Sequence, residues 1–362
     1  MSFSLSPIQS RKKSHLDACV DGPEQDISST VPTGFELVRL EHEALPELDL
    51  DEIDTTTGFL GTDLALPLMI SCMTGGTHQG RDANRDLAIA AQECGVAVGL
   101  GSMRVGIETP GVLDHFAVKS EAPDVPVVAN LAAAQLREIE HDRVTDALDH
   151  LRVQAIALHL NPGQELFQQD GDRSFRGLEA AITEFTERCR LPVIVKETGF
   201  GISVATALRL LDGGVEYVDV AGAGGTNWVL VEAQRLQGDD AEAARELADW
   251  GNPTAAVLAA MRDEPRLTGS IIASGGLRRG QDLAKAIALG AEIGALALPF
   301  IKDVFEGGAE RVAQRIRLLG RVLRSVMLLT GSRTLEELRR ARVIVDPALT
   351  AIGSPVSTAG MV

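Results

Sequence analysis

The chain has 362 residues, of which 45% are hydrophobic and 4% aromatic, and it carries a formal net charge of −17 at pH 7. This length provides a large core, and it is long for a single domain unless the fold is an α/β barrel. The acidic balance excludes nucleic acid as a partner, because a phosphate backbone requires a basic surface to replace its counterions. The cysteines lack metal-binding spacing, and no apolar run approaches the roughly 18 residues of a membrane span. We therefore expect a cytoplasmic protein without membrane insertion.

The N-terminal segment, residues 1–35, comes before the first strand-like run and looks irregular. It contains the basic cluster "RKKSH", which covers Arg11 to His15 in an otherwise acidic chain. A charge run of this kind is usually a solvated surface. If the segment instead folds as an arm over the barrel, its basic side chains would clamp an anionic ligand.

Eight short runs rich in Val, Ile, Leu and Ala recur along the chain, separated by amphipathic segments of helix length. Their continuous apolar character indicates strands that are covered on both faces. The runs span residues 66–73, 96–103, 125–132, 155–161, 191–198, 217–222, 270–276 and 293–299. Eight alternating units predict an α/β fold, a (β/α)8 TIM barrel, rather than a doubly wound sheet.

The segments between the strands predict helices and one unusual connection. Helices are expected at residues 81–94, 133–152, 175–189 and 280–290, and between the cap Ser203 and the terminator Gly213. Residues 223–269 form a long insertion between strands 6 and 7, predicted as an elaborated loop with its own helix. The domain prediction is an N-terminal arm (1–35), one barrel domain (36–335) and a C-terminal tail (336–362).

Polar residues are concentrated where the predicted strands end. The carboxyl ends of the strands of a (β/α)8 barrel converge on one face, and ligands bind there. In strand order, the groups at these ends are "MTGG", "GSMR", Asn130, His159 with Asn161, "KE", "AGAGGT" and "SGG". These separated segments are therefore expected to form one pocket.

The glycine loop "SGGLRRGQD" predicts a phosphate site. Gly275 and Gly276 follow the seventh strand and precede a helix, so free backbone N–H groups and a helix N-terminus would face an anion. A plain glycine-rich turn is the alternative, but this position in the barrel favours phosphate. A second glycine loop, "AGAGGTNW" at residues 221–228, suggests a phosphorylated cofactor.

Lys196 ends an apolar strand, where an unpaired lysine is costly and often functional. Three roles stay open from the residues alone: stabilising negative charge on a flavin, forming a Schiff base, or pairing with Glu197. Glu165 and Asp172 are candidate Mg²⁺ ligands, because Mg²⁺ prefers carboxylate oxygens. A solvated acidic loop is the alternative, and the nearby polar residues of "LHLNPGQE" argue against it.

The motifs resemble those of the type 2 isopentenyl-diphosphate isomerase family over about residues 10 to 330. They occur in the family's order: "RKKSH", "MTGGT", "GSMR", "LHLNPGQE" with "GDRSF", "PVIVKETGFGIS", "VDVAGAGGT" and "SGGLRRGQDLAKAIALGA". The resemblance implies an FMN-dependent enzyme that interconverts isopentenyl and dimethylallyl diphosphate. It further implies a requirement for Mg²⁺ and reduced FMN, NADPH as the reductant, and a homo-oligomer, either a tetramer or an octamer.

The same resemblance assigns residues to roles. The FMN contacts would be Met73, Thr74, Gly75, Ser102, Asn130, Lys196, Ala221, Thr226, Gly276, Leu277, Arg278, Ala297 and Leu298. The substrate contacts would be Arg11, Lys12, Ser102, Met103, Arg104, His159, Asn161 and Gln164. Gln164, His159 and Lys196 would be catalytic, with Gln164 positioning the substrate rather than protonating it, and Glu165 would hold the metal.

The sequence departs from the family pattern at several positions, including Met103 and Asn227. Met103 stands where the family usually has Gln, and Asn227 replaces a common Ser. A thioether cannot donate a hydrogen bond, so Met103 puts fine geometry in doubt more than the reaction.

Two other functions were weighed. An FMN-dependent α-hydroxyacid oxidase or dehydrogenase would require "HGGR" where this chain has "AGAGGTNW", which contains neither His nor Arg. The other is a non-catalytic protein that binds flavin or isoprenoid diphosphate. The presence of His159, Gln164, Glu165 and Lys196 argues against it.

Overall fold

The computed structural model describes residues 7 to 349, with side chains described from Ser10 onward. Its strands are β1 (Val38–Leu40), β2 (Thr57–Phe59), β3 (Thr62–Leu64), β4 (Leu68–Ile70), β5 (Ala97–Gly99), β6 (Val127–Ala132), β7 (Ala155–His159), β8 (Val193–Lys196), β9 (Tyr217–Asp219), β10 (Ile271–Ala273), β11 (Ile293–Leu296) and β12 (Val343–Val345). Its helices are α1 (Pro7–Val20), α2 (His78–Cys94), α3 (Arg104–Glu108), α4 (His141–Leu151), α5 (Pro162–Phe167), α6 (Leu178–Arg188), α7 (Val204–Asp212), α8 (Trp228–Ala233), α9 (Gly238–Glu246), α10 (Thr254–Met261), α11 (Gly280–Ala288), α12 (Leu298–Leu329) and α13 (Leu335–Arg340).

Strands β4 to β11 form a closed barrel in which each strand pairs with its neighbours in the chain and β11 pairs with β4. All pairs around the barrel are parallel. The (β/α)8 prediction is confirmed, and each of the eight predicted runs contains one barrel strand. The strands are shorter than the runs because the apolar residues continue into buried loops after the ladder ends.

The barrel interior is filled by small and branched side chains, which explains how a chain with few aromatic residues packs its core. One cluster joins Ala97, Ala157 and Ile194 to Phe59 and Leu64 of the β2–β3 hairpin. The Phe59 ring lies 5.0 Å from the ring of Tyr217, the first residue of β9. The hairpin therefore closes the amino end of the barrel, and the opposite end remains for ligands.

The predicted helices are present, with differences at their ends. The hydroxyl of Ser203 accepts from the N–H of Thr206 and caps α7 as predicted, and Gly213 follows the last residue of α7. The predicted helix at 133–152 is divided into a 3-10 segment, Ala133–Arg137, and α4. The division arises because Glu140, between the two, has φ −57° and ψ 136°, which is not a helical conformation.

The insertion between β9 and β10 contains three helices, α8, α9 and α10, rather than the single helix expected. Most residues of α10 are buried, and its sequence "TAAVLAAM" is almost entirely apolar. A short apolar stretch of this kind cannot be told from a strand or a buried loop by periodicity.

The N-terminal segment is not irregular as expected, because residues 7–20 form α1. Only a few apolar residues are needed to fix this polar helix, and Leu16 and Cys19 are buried beneath it. The segment continues along the loop after β9, where the N–H of Asn227 donates to the Ile27 carbonyl at 2.8 Å. Amphipathicity is weak in such a helix, so the sequence pattern does not reveal it.

The C-terminal residues that the structure describes return to the start of the barrel domain. β12 pairs antiparallel with β1, with Val38 opposite Val345. The division into an arm, a barrel and a tail stays a prediction, and residues 1–6 and 350–362 lie outside the described part of the chain. Within residues 7–349, no helix is long and apolar enough to cross a membrane.

Candidate active site

Two adjoining pockets open at the carboxyl ends of the barrel strands and form one elongated cleft. The larger encloses about 1100 Å³ and is lined by α1 and by residues at or after the ends of β4 to β8. The smaller encloses about 550 Å³ and is lined by loops after β4 and β8 to β11. Cys72, Met73, Lys196, Thr198 and Trp228 line both. A ligand that filled the smaller pocket would thus border whatever occupied the larger one.

The smaller pocket has the geometry of a phosphate site. Gly275 and Gly276 have φ angles of 98° and 78°, which other residues adopt only with strain. A Cβ on Gly276 would collide with the carbonyl oxygen of Gly224, so the two glycine loops are in direct contact. Within the described residues, the N–H groups of Gly276 and Leu277 donate to no protein acceptor. They are free to bind phosphate oxygens.

Charged residues close the outer side of this pocket. The carboxylate of Asp282 accepts from the N–H groups of Arg278 and Arg279 at 3.1 and 3.0 Å, so these two donors are already used. The Glu24 carboxylate, from the N-terminal segment, accepts from Arg278 Nη2 at 3.2 Å and from Lys302 Nζ at 2.9 Å. The N-terminal segment is therefore held against the phosphate site.

Gly276→Ala is expected to weaken binding of FMN, the cofactor that the motif resemblance implies, because the new methyl group would force the Gly224 loop and the Thr33 methyl group away. We expect the FMN dissociation constant to rise at least about tenfold, equivalent to about 1.4 kcal/mol. Gly269→Ala is the matched control: its φ is +80° against +78° at Gly276, but nothing lies within 4 Å of its Cβ. Both variants carry about 1–2 kcal/mol of backbone strain. Equal FMN affinity in the two would contradict the assignment.

Lys196 lies at the junction of the two pockets. Its ammonium group donates to the backbone carbonyl of Glu197 at 2.6 Å. The Glu197 carboxylate accepts instead from the backbone N–H groups of Gly199, Phe200 and Gly201. The structure therefore excludes a salt bridge between Lys196 and Glu197, one of the three roles left open by the sequence.

The larger pocket is cationic at the end where α1 covers it. Lys12 Nζ donates to the Ser102 carbonyl at 2.8 Å. Burial, together with the neighbouring Arg11 charge, lowers the pKa of Lys12 to about 8. Arg104 lines the same pocket and pairs with Glu108 at 2.7 Å. The neighbouring positive charges of Lys12 and Arg11 repel each other, so this end of the pocket is suited to an anion that compensates both charges.

His159 ends β7 and faces the same pocket. Its Nδ1 lies 3.0 Å from the Asn130 side-chain oxygen. Burial lowers the pKa of His159 to about 3, and the charges of Lys196 and Lys12 act in the same direction. The imidazole is therefore neutral near pH 7 before a ligand binds, so it can form hydrogen bonds but carries no charge.

Glu165 is held on α5 by three donors. Its carboxylate accepts from Asn161 Nδ2 at 2.9 Å, from Gln168 Nε2 at 3.2 Å and from the N–H of Asp172 at 2.8 Å. The Asp172 carboxylate turns away and pairs with Arg137 at 2.8 Å. Within the described residues there is no cluster of three or more His, Cys, Asp or Glu side chains that could hold a metal. A metal at Glu165 would therefore need most of its ligands from water and from a bound anion.

Two further residues of the site, Glu232 and Trp228, were not predicted from the sequence, whereas His15 was expected to help hold an anion. The buried carboxylate of Glu232 accepts from Gln164 Nε2 and lies beside His15 Nε2, both at 2.9 Å. Burial alone would raise its pKa, but His15, Gln164 and Arg235 hold the pKa of Glu232 below its usual value. Trp228 lines both pockets and meets the His15 ring edge-on at 5.5 Å. In the sequence, the sign that could have pointed to Glu232 is its position as an acidic residue in the apolar run "WVLVEA".

The structure brings nearly all the predicted site residues to the cleft. Those in the larger pocket are Arg11, Lys12, Met73, Thr74, Gly75, Ser102, Arg104, Asn130, His159, Asn161, Gln164, Glu165 and Lys196. Those in the smaller pocket are Met73, Lys196, Ala221, Thr226, Gly276, Leu277, Arg278, Ala297 and Leu298. Met103 is the exception: its side chain is fully buried in the core and lines neither pocket. The reason is that α3 begins directly after Met103 and turns it inward, so its missing donor does not face a ligand.

Comparisons with known proteins agree with this geometry. The FMN-dependent dehydrogenase family matches residues 123–345. An isopentenyl-diphosphate delta-isomerase of Rickettsia bellii is 42% identical over 92% of this chain and 96% of that protein. The one of Halobacterium salinarum is 43% identical over 93% of each.

Among solved structures, a flavocytochrome b2 variant with benzoylformate matches with a TM-score of 0.69, over 94% of this chain and 86% of that chain. At 19% identity this likeness shows the shared barrel fold alone. The sequence matches are closer and cover most of the chain. The chain therefore belongs to the FMN-dependent dehydrogenase family and, within it, to the isopentenyl-diphosphate delta-isomerases.

Proposed function

We propose that the protein interconverts isopentenyl and dimethylallyl diphosphate in isoprenoid biosynthesis, using bound reduced FMN and Mg²⁺. The observation that carries the proposal is the continuity of the cleft. A glycine phosphate site, a buried lysine and a cationic end follow one another along it. The oxidase alternative is supported only by distant structural neighbours, and the loop after β9 offers no His or Arg for it.

The residues of the smaller pocket fit FMN. The free N–H groups of Gly276 and Leu277 would bind its phosphate, and Lys196 would face its ring at the junction of the pockets. Reduced FMN supplies an electron-rich surface beside which an alkene can gain a proton at one carbon and lose one from another. The ammonium group of Lys196 stabilises negative charge at that surface, and the enclosed site strengthens this effect.

The cationic end of the larger pocket fits the substrate diphosphate. Arg11, Lys12 and Arg104 supply positive charge, and neutral His159 supplies a hydrogen bond. Glu165 would hold Mg²⁺, and the metal would supply positive charge to the phosphate oxygens of the substrate. Because Glu165 is the only carboxylate we assign to the metal, we expect tight Mg²⁺ binding only when the diphosphate is present.

The apolar end of the substrate would lie between Trp228 and Met73, near Gln164. An amide is a poor acid, so Gln164 orients the substrate rather than protonating it. Its Nε2 donates to Glu232 at 2.9 Å, which fixes the direction in which the amide oxygen points. Asn161 Nδ2 donates to that oxygen at 3.1 Å. The two contacts hold the amide in one orientation.

NADPH as the reductant, a tetrameric or octameric assembly and a cytoplasmic location complete the proposal. The test is an anaerobic assay of the purified protein with FMN, Mg²⁺, NADPH and isopentenyl diphosphate, with dimethylallyl diphosphate as the product measured. Light scattering of the same sample gives the assembly. Turnover that needs no reductant would contradict the role of reduced FMN. Absence of turnover with flavin bound would contradict the activity.

Lys12→Met is expected to lower kcat/KM by about 30-fold or more, equivalent to about 2 kcal/mol, because it removes a desolvated partner of the diphosphate. Lys13→Met is the matched control, since the neighbouring Lys13 is exposed and, among residues 7–349, pairs only with Asp17 at 2.7 Å. Lys12 is charged below its pKa of about 8, so wild-type kcat/KM should fall as the pH rises above that value. A Lys12→Met variant that keeps this alkaline fall would show that another group causes it.

A further inference from the structure

We propose that Asp219 is a positioning residue for Lys196: its buried carboxylate attracts the ammonium group and directs it toward the flavin pocket. The inference rests on the proposed function, since it concerns the charge that Lys196 presents to FMN. Nothing in the sequence motifs singled out Asp219. It lies inside the "VDVAG" segment, and its side chain lines neither pocket.

The barrel places the two residues side by side. Lys196 ends β8 and Asp219 ends β9, and they are opposite each other in the register of the two strands. Ile194 of β8 and Tyr217 of β9 belong to the cluster that fills the barrel interior. Because side chains alternate along a strand, the residues two positions later also point inward. Lys196 and Asp219 therefore project into the barrel at its ligand-binding end.

The contacts of Asp219 indicate an electrostatic role rather than a structural one. Its side chain is 0% exposed. One carboxylate oxygen accepts from Ser274 Oγ at 2.5 Å and from the N–H of Ala221 at 3.3 Å. The other oxygen, Oδ2, has no hydrogen-bond partner within the described residues. A fully buried carboxylate with an unused oxygen is costly unless a positive charge lies nearby.

Burial raises the pKa of the Asp219 carboxyl, and the charge of Lys196 is the strongest influence that opposes this rise. The two make no direct ion pair in the described structure, and Lys196 uses one of its three N–H groups on the Glu197 carbonyl. Two N–H groups remain for the flavin and for the space beside Asp219. The Asp219 carboxylate therefore attracts the ammonium group by Coulomb interaction without occupying the donors that FMN would need.

Other titratable groups also surround Lys196, and their charge states decide which of them can attract the ammonium group. His159 lies opposite Lys196 on β7 and is neutral, and the thiol of Cys72 lines both pockets. Burial raises the pKa of that thiol to about 11, so it is uncharged near neutral pH. The Glu197 carboxylate feels the Lys196 charge as well, but it already accepts from three backbone N–H groups. Asp219, which has an unused carboxylate oxygen, is thus the acid best placed to attract the ammonium group.

The test compares Asp219→Asn with the wild-type holoenzyme. Without the carboxylate, the ammonium group should no longer be held toward the flavin, so kcat at saturating isopentenyl diphosphate should fall about tenfold while KM stays within about twofold. The absorption spectrum of bound oxidised FMN, recorded without turnover, should change in the same variant. Asp219→Glu should restore part of both. In a Lys196→Met background, Asp219→Asn should change neither further, which assigns the effect to Lys196.

The outcomes separate this inference from the proposed function. If the wild type binds FMN but does not isomerise the substrate, the proposed function fails. If the wild type is active and Asp219→Asn keeps the wild-type kcat and flavin spectrum while losing only thermal stability, Asp219 is structural and the inference is overturned. Should Asp219→Asn fail to bind FMN, Asp219→Ser removes the same charge with a smaller side chain. A wild-type kcat and spectrum in that variant overturn the inference equally.

Discussion

Glu165→Gln is expected to lower kcat/KM for isopentenyl diphosphate by more than about 100-fold while FMN stays bound. Substituting a residue that only supports a metal ligand typically costs 10–100-fold, so losing the ligand itself should cost at least as much. The carboxylate is in the larger pocket, whereas the phosphate site is in the smaller one. We therefore expect the Mg²⁺ concentration for half-maximal activity to rise and the FMN dissociation constant to stay unchanged.

The local structure adds a second effect that the experiment must separate. All three neighbours of the Glu165 carboxylate donate hydrogen bonds to it. An amide nitrogen cannot accept, so glutamine leaves at least one of these donors unpaired, at a cost of about 1–3 kcal/mol. The melting temperature should therefore fall slightly. This loss does not depend on Mg²⁺, so only the Mg²⁺ titration reports on the metal.

Asp172→Asn is the matched control for the metal assignment. Asp172 lies in the same loop, and its carboxylate pairs with Arg137 rather than facing the pocket. We expect this variant to keep the wild-type dependence on Mg²⁺. If Asp172→Asn loses the dependence and Glu165→Gln keeps it, the metal ligand is Asp172, which the sequence alone left as an equal candidate.

The barrel and most of the cleft could be predicted from the sequence because both follow from local patterns. Each strand is a short apolar run, and the polar residue at its end has to face the ligand side once the barrel closes. Lys196 and His159 were predictable in this way. The eight runs also fix which loops are neighbours, so the two glycine loops could be expected to meet.

What the sequence could not reveal depends on contacts between distant segments. Glu232 reaches Gln164 only because α8 of the insertion folds back over α5, and no local pattern encodes that packing. Met103 follows a strand like the other predicted contacts, but the turn into α3 buries it. The sequence of α1 has too few apolar residues to predict a helix, although α1 brings Arg11 and Lys12 to the cleft.

Lys196→Met is expected to lower kcat by about 10²–10³-fold at saturating FMN, the range found when one preorganised stabiliser of developing charge is removed. FMN affinity should also fall, because the variant leaves the buried carboxylate of Asp219 without its neighbouring cation. Lys119→Met is the control for removing a lysine elsewhere: Lys119 donates to the Val125 carbonyl and to Gln154, away from the cleft. We expect it to retain activity and FMN.

Lys196→Arg distinguishes the two roles that remain open for this lysine. If Lys196 acts by its charge, arginine keeps that charge and should retain a measurable part of kcat, although its planar group will not fit in the same place. If Lys196 acts as a Schiff-base nucleophile, arginine should be as inactive as methionine, and borohydride with substrate should add mass to the wild-type chain. Because isopentenyl diphosphate has no carbonyl group for an amine to attack, we expect no added mass. The charge of Lys196, held at the junction of the two pockets, is then what links the flavin site to the reacting alkene.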